Sequence, residues 1–319
     1  MTGEYRHIPV MLNESRLALG MGPGQVFCDC TLGGAGHALS VAHDLAPGGL
    51  LIGIDQDDSS LAEVPLRISH MQLQIHYEIL KGNFRNLDEL LLKARVPGID
   101  GILFDLGVSS PQIDQANRGF SYTQDAPLDM RMDPGNQTLT AAEIINTSNT
   151  ADLTRILRDY GEEKWAGRIA HHIVQSRSAK PIETTLELAA LIKEAIPASQ
   201  RREGGNPAKR SFQALRIAVN EELAALEEGL EAALRWLNPG GRIVVISYHS
   251  LEDRIVKRTF AAAAQGCICP PEQPVCTCDH QPILTTVCKK ALSPSSEERE
   301  SNPRSKSAKL RFATKALGS

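Results

Sequence analysis

Asp100-Gly101-Ile102-Leu103-Phe104-Asp105-Leu106-Gly107-Val108-Ser109-Ser110 is the stretch from which the rest of the chain can be read. Ile102-Leu103-Phe104 is a short apolar run between turn formers, the pattern of a strand buried on both faces of a parallel sheet. Asp105 falls where that strand should end, and Gly107, Ser109, Ser110 and Pro111 cannot continue it. Ligands of open α/β sheets lie beyond the carboxyl ends of the strands, so a carboxylate there followed by small residues reads as the lip of a site. The plainer alternative is an aspartate that caps the next turn.

Toward the N-terminus the same logic repeats. Gln25-Val26-Phe27-Cys28-Asp29-Cys30 alternates in polarity as a strand does, and it runs into Thr31-Leu32-Gly33-Gly34-Ala35-Gly36-His37. A predicted helix, Ala38 to Leu45, ends at Pro47-Gly48-Gly49, and Leu50-Leu51-Ile52-Gly53-Ile54-Asp55 is a second buried strand tipped by an acid. Strand, Gly-rich turn, helix, strand and acid form a nucleotide-binding layout, with the acid about 20 residues beyond the turn. A dinucleotide calls for G-x-G-x-x-G, so that a helix N-terminus meets the pyrophosphate. Gly34-Ala35-Gly36-His37-Ala38-Leu39 lacks the third glycine. S-adenosylmethionine carries no phosphate and needs only a close-approaching backbone and an acid for its ribose, so the motif favours the methyl donor. Further on, Phe84 in Gly82-Asn83-Phe84-Arg85 either lies against a purine ring or fills core.

Beyond the opening stretch, buried-strand runs are absent from about Ile113 to Gly205. Helical periods are predicted over Ala141 to Ile145, Ala151 to Tyr160, Glu162 to Arg177 and Thr185 to Ala195. Phe212, Leu215, Val219, Leu223, Leu226, Leu230, Leu234 and Leu237 predict one long helix from Ser211 to Leu237, stopped by Asn238-Pro239-Gly240-Gly241. Gly241 to Ser247 is another buried strand, tipped by Tyr248-His249-Ser250, where His249 is either a substrate contact or an ordinary loop histidine. Two more strands are expected over Pro282 to Lys290 and Ser307 to Lys315. The expected fold is α/β, a Rossmann-like, mostly parallel sheet. The sheet-bearing core is expected to be discontinuous, residues 1–112 and 206–319, with residues 113–205 as a helical insertion, a lid or a substrate-recognition domain.

Composition restricts the function further. The chain has 319 residues, 42% of them hydrophobic and 23% charged, as ordinary globular proteins do. No apolar run approaches the roughly 20 residues of a membrane span, and Met1 to His7 lacks the layout of a signal peptide, so a cytoplasmic location is expected. A net charge of −4 gives no global sign of nucleic-acid binding. Local basic surface is nevertheless available from Arg201, Arg202, Lys209, Arg210, Lys289, Lys290, Arg299, Arg304, Lys306, Lys309 and Arg311, suited either to phosphate contact or to solvation. Cys267-x-Cys269 and Cys276-x-Cys278 offer four thiolates for a tetrahedral zinc site. Structural zinc sites usually space each pair by two or more residues, which leaves free thiols as the alternative.

His7 to Val10, Thr31 to His37, Ile54 to Asp57, Asp105 to Gln112, Arg118 to Tyr122, Pro127 to Asp133, Phe212 to Arg216, Val219 to Leu223, Ser247 to Asp253 and Asn302 to Ala308 together resemble, in order, the bacterial small-subunit ribosomal-RNA cytosine-N4 methyltransferase family (RsmH, also called MraW). The resemblance spans nearly the whole chain. It implies a class I methyltransferase sheet, S-adenosylmethionine as donor, and methylation of the exocyclic N4 of a decoding-centre cytidine in 16S rRNA of the small ribosomal subunit. It carries the donor contacts to Ala35, Gly36, His37, Asp55, Phe84, Asp105 and Gln112. Two positions depart from the family pattern. Ala35 stands where many relatives have glycine, which is tolerable only if the backbone there needs no positive φ. Lys306 stands where arginine is common.

Cytosine N4 is a weak nucleophile, so the enzyme must hold it about 3 Å from the methyl carbon, in line with the leaving sulfur. Classical amino-methyltransferases place Pro-Pro and an aromatic after the strand-tip residue. Here Asp105 is followed by Leu106-Gly107, so the local chemistry must differ. The resemblance implies that Asp105 binds the donor's amino acid portion, with contact to the target amino group as the catalytic alternative. The rival readings are an NAD-type oxidoreductase, a non-catalytic RNA-binding or metal-knuckle protein, and a methyltransferase of small molecules.

Overall fold

The computed structural model describes residues 9–61, 64–108, 115–201, 206–270, 273 and 275–318. Seven strands, β1 (Val26–Asp29), β2 (Leu50–Asp55), β3 (His76–Lys81), β4 (Ile99–Asp105), β5 (Leu237–Ser247), β6 (Leu284–Val287) and β7 (Lys309–Lys315), form one sheet in the order β3-β2-β1-β4-β5-β7-β6. The pairs β1/β2, β1/β4, β2/β3 and β4/β5 are parallel, while β7 runs antiparallel to both β5 and β6. The mostly parallel sheet expected from the apolar runs is therefore present. Strand order reverses between β1 and β4, the switch point at which such sheets take their ligands.

Period-two alternation explains why these runs must be strands. Ile102 and Phe104 enter one core with Ile52, Ile54, Ile243, Val245 and Phe260, while Leu103 enters the opposite core with Phe27, Leu51, Val244, Ile246 and Leu310. Both faces are covered, so no polar residue interrupts Ile102-Leu103-Phe104. Each such side chain contributes about 1.5–3 kcal/mol on burial.

The chain divides into two compact units: Met1–Gly107 with Leu223–Ser319, and Val108–Glu222. The second contains the helices Ala141–Thr147, Thr150–Gly161, Ala166–Arg177, Thr185–Ala195 and Lys209–Asn220 around its own core. Two of them start with capping boxes legible in the sequence, Thr140 with Glu143 and Thr184 with Glu187.

The single long helix expected from Ser211 to Leu237 is two helices, Lys209–Asn220 and Glu222–Trp236, broken where Glu221 adopts φ 49°. Asn220 marks the break. Its amide donates to the Met130 carbonyl at 2.8 Å and its oxygen accepts from the Met132 N–H at 2.8 Å. Phe212, Leu215 and Val219 pack in the helical unit's core, so the return to the sheet unit comes at 223 rather than at the expected 206. The apolar spacing runs through the break unaltered because both helices bury a face at the same period.

Candidate active site

Three carboxylates end three neighbouring strands: Asp29 on β1, Asp55 on β2 and Asp105 on β4. Each is held by a short local contact. Asp55 Oδ2 accepts from the Gly33 N–H at 2.7 Å and its Oδ1 from the Asp57 N–H at 2.9 Å. Asp29 Oδ1 accepts from the Thr31 N–H at 3.1 Å, and the Thr31 hydroxyl accepts from the Asp105 N–H at 2.7 Å. Thr31 thus ties the first tip to the third. The Tyr248 hydroxyl, from the end of β5, donates to Asp105 Oδ1 at 2.7 Å, and His37 Nε2 lies 3.5 Å from Asp105 Oδ2.

Burial sets the charges. Asp29, 1% exposed, has its pKa pushed up to about 6, chiefly by desolvation, with His37 and the Thr31 N–H opposing. Desolvation also raises Asp55, against the N–H groups of Asp57 and Gly33. For His37 burial favours the neutral ring, yet Asp105 and Asp29 together outweigh it and the pKa is raised. Burial and then Asp105 push the Tyr248 phenol well up, so it stays a donor.

The Gly-rich turn crosses this tip. Ala35 has φ 58° and ψ 22° at the start of the helix Gly36–Leu45, so its backbone does take the left-handed form that the sequence comparison required it to avoid. Gly36 is fixed by packing, since a Cβ there would collide with the Pro9 ring. Gly33 and Gly34 are different: a Cβ on either would meet nothing closer than 3.8 Å, so there is room beside this turn, whose Gly34 carbonyl accepts from Arg67 and whose Gly33 N–H donates to Asp55. Gly107, at φ 115°, passes the Tyr248 ring.

Of the residues read from the sequence, Asp55, Asp105, His37 and the Ala35–Gly36 turn come together at the switch point. Phe84 is half-buried, with its ring edge-on to Phe104 at 5.5 Å and its backbone against the helix carrying Gly229, so it does fill core on one side. Gln112 lies outside the described residues, as do Ser109, Ser110 and Pro111. The reading passed over Asp29, Thr31 and Tyr248. Asp29 obeys the same rule as Asp55 and Asp105, an acid at the end of an apolar strand, and that signal was available.

Tyr248 also lines a cavity of about 430 Å³, together with His249, Ser250, Arg299, Lys306 and Lys309 among others. His249 lies 3.0 Å from Glu252 and caps the helix Ser250–Ala263, a structural role for a residue with two open readings. Not every cation of the sequence faces outward. Arg311 is buried, and its Nε donates to Asp253 Oδ1 at 2.7 Å, so it is removed from the basic surface expected of it. In the helical unit Arg131 is likewise engaged with Asp129 through two bonds of 2.8 and 2.6 Å, and Arg118 donates to the Met132 carbonyl at 3.1 Å. Arg202 lies outside the described residues.

Comparison with known proteins agrees with this geometry. Residues 4–316 match the model of the MraW methylase family. The chain belongs to the MraW methylase family. The "Ribosomal RNA small subunit methyltransferase H" of Paenibacillus sp. (strain JDR-2) is 53% identical over 317 residues, covering 98% of this chain and 99% of that protein. The proteins of the same name from Symbiobacterium thermophilum and Heliobacterium modesticaldum are each 50% identical, covering 98% of this chain and 97% and 99% of theirs. As an MraW methylase the chain is an S-adenosylmethionine-dependent methyltransferase. The strand tips fit that donor: three acids and the room beside Gly33-Gly34 suit a ligand that carries a sulfonium, an ammonium and ribose hydroxyls. They do not suit a pyrophosphate, which the same carboxylates would repel. Among the described residues no helix is long and apolar enough to cross a membrane.

Proposed function

We propose that this MraW methylase methylates the exocyclic N4 of a decoding-centre cytidine in small-subunit 16S rRNA. The carrying observation is the match over residues 4–316 to a methylase family whose relatives, at about half identity over 98% of the chain, are named for small-subunit ribosomal RNA. A basic cavity that shares Tyr248 with the acid tips is consistent with a polyanionic acceptor.

When bound, the donor supplies an already activated methyl group on sulfur. The chain's own residues supply position. The Ala35-Gly36-His37 turn and Gly33-Gly34 give the close backbone approach, and Asp55 accepts from the ribose hydroxyls with the lone pairs that Gly33 and Asp57 leave over. Asp105 holds the ammonium of the amino acid portion, and Phe84 is a further donor contact; the resemblance assigns Gln112 the same role. Asp105 already accepts from Tyr248 and faces His37, which supports donor binding rather than service as a free base toward N4. Arg299, Lys306 and Lys309 contact phosphates, and the helical unit recognises the folded substrate.

The test is transfer of labelled methyl to assembled small subunits, naked rRNA and a small-molecule extract. Label in a single cytidine of the subunit is expected. Label confined to the extract would leave the donor site standing and remove the rRNA assignment.

A further inference from the structure

The loop between the helix Ser250–Ala263 and β6, residues 264–283, is not used by the methyl-transfer site. Its base is closed by the Ile283 N–H donating to the Ala263 carbonyl at 2.8 Å. Burial does not hold it together: Cys267 and Cys276 are exposed, and the flanking Ile268 and Val275 are 58% and 69% exposed. Yet Cys267, Cys269, Cys276 and Cys278 bring their sulfurs within 4.8 Å of one another. The Sγ separations are 3.5 Å for Cys267–Cys276, 3.5 Å for Cys276–Cys278 and 3.9 Å for Cys278–Cys267.

These distances discriminate among the ways four cysteines can meet. A disulfide needs about 2.05 Å between sulfurs, far shorter than any of them. A tetrahedron with Zn–S bonds of about 2.3 Å has edges of about 3.8 Å. An iron–sulfur cluster seats its thiolates on different irons and spreads some pairs beyond the limit that all four sulfurs observe here. The arrangement is that of four ligands around one mononuclear ion, two from each C-x-C arm. Tetrahedral S₄ sites take zinc or iron–sulfur centres, and with the cluster set aside by these separations the closed Cys₄ set is that of a structural zinc site.

We propose that Cys267, Cys269, Cys276 and Cys278 bind one Zn²⁺ ion that fixes the two C-x-C arms against each other. Loading displaces to solvent whichever protons the four thiols carry and leaves four thiolates on the ion, with no redox change. The ion then does for this loop what burial does elsewhere: it fixes the two arms against each other.

The experiment is metal analysis of the full chain purified under reducing conditions without chelator. One zinc per chain is expected. After removal of zinc, titration with Co²⁺ should give intense thiolate-to-cobalt charge-transfer and tetrahedral ligand-field bands that saturate at one equivalent. The C276S/C278S double variant should lose those bands, and C288S should keep them. The wild-type readout does not depend on how a variant folds: Cys267, Cys269, Cys276 and Cys278 should resist alkylation until a chelator is added. Absence of zinc together with no cobalt spectrum, alkylation of these cysteines without chelator, or a mass deficit from disulfides would each overturn the proposal.

Discussion

The two regions that share Tyr248 are built on opposite principles. Toward β1, β2 and β4 lie three acids, buried or nearly so, each held by N–H or O–H groups within 3.1 Å. Toward residues 293–309 lie cations around an open cavity, with Lys309 only 3.3 Å from Asp253 and nearly half exposed. The first region pays in desolvation for a fixed geometry, which suits a small cationic ligand bound in one pose. The second keeps its charges hydrated and movable, which suits a polyanion gripped by many weak, salt-sensitive contacts. A variant on the acid side should therefore alter stability or donor affinity at any ionic strength, and one on the basic side should alter RNA binding in proportion to salt.

The largest effect is expected at Asp29. An acid whose pKa rises on folding favours the folded state while protonated. Its contribution is complete below the unfolded value near 3.8 and is lost as pH rises through about 6. Above that pH the ionised, buried carboxylate is a burden of up to about 3 kcal/mol. Asp29→Asn retains an acceptor for the Thr31 N–H, so its urea midpoint should exceed wild type at pH 7.5 and match it near pH 4. Equal midpoints at both values would mean that Asp29 is not desolvated.

Asp55 comes next. A hydrogen bond to a charged acceptor contributes about 1.5–3 kcal/mol, so Asp55→Ala should weaken donor binding roughly ten- to a hundredfold in calorimetry. Unchanged affinity would remove Asp55 from the donor site. On the basic side, Arg299→Ala with Lys306→Ala should weaken RNA binding about tenfold at low salt and reduce the salt slope by about 1.4, the value for two phosphate contacts on single strands. Donor affinity should be unaffected. A loss of donor affinity equal to the RNA loss would dissolve the distinction between the two regions.

The sheet was legible because burial on both faces leaves a plain record: Ile102-Leu103-Phe104 and Ile243 to Ile246 carry no polar interruption. The strand-tip acids were legible for the same reason, since an acid after such a run has to be outside the core or serving a site. Tyr248 was not, because its partner Asp105 is 143 positions away in the chain and no spacing rule connects them. The break at Glu221 was hidden too. It depends on Asn220 reaching Met130 and Met132, contacts of 90 and 88 positions that leave the local apolar period untouched. Side chains engaged by distant backbone are the class of feature that local pattern does not record, and Arg311 on Asp253 is another.

The smallest effect sharpens the comparison at its most strained point. Ala35 is fully buried, its N–H donates to the Leu32 carbonyl at 2.6 Å, and its carbonyl accepts from the Leu39 N–H at 2.8 Å, so the turn is fixed at both ends. The backbone nevertheless sits at φ 58°, where a Cβ costs about 1 kcal/mol or slightly more. Glycine would relieve that strain but lose one buried methyl and gain freedom in the unfolded chain, and these offset part of the gain. Ala35→Gly should thus raise stability by no more than about 0.5–1 kcal/mol, and donor affinity should hold or improve slightly because the backbone that approaches the ligand is unchanged. A loss of more than about 1 kcal/mol in the variant would mean that the methyl group is packed to advantage and that the left-handed turn is held by its neighbours rather than tolerated by them.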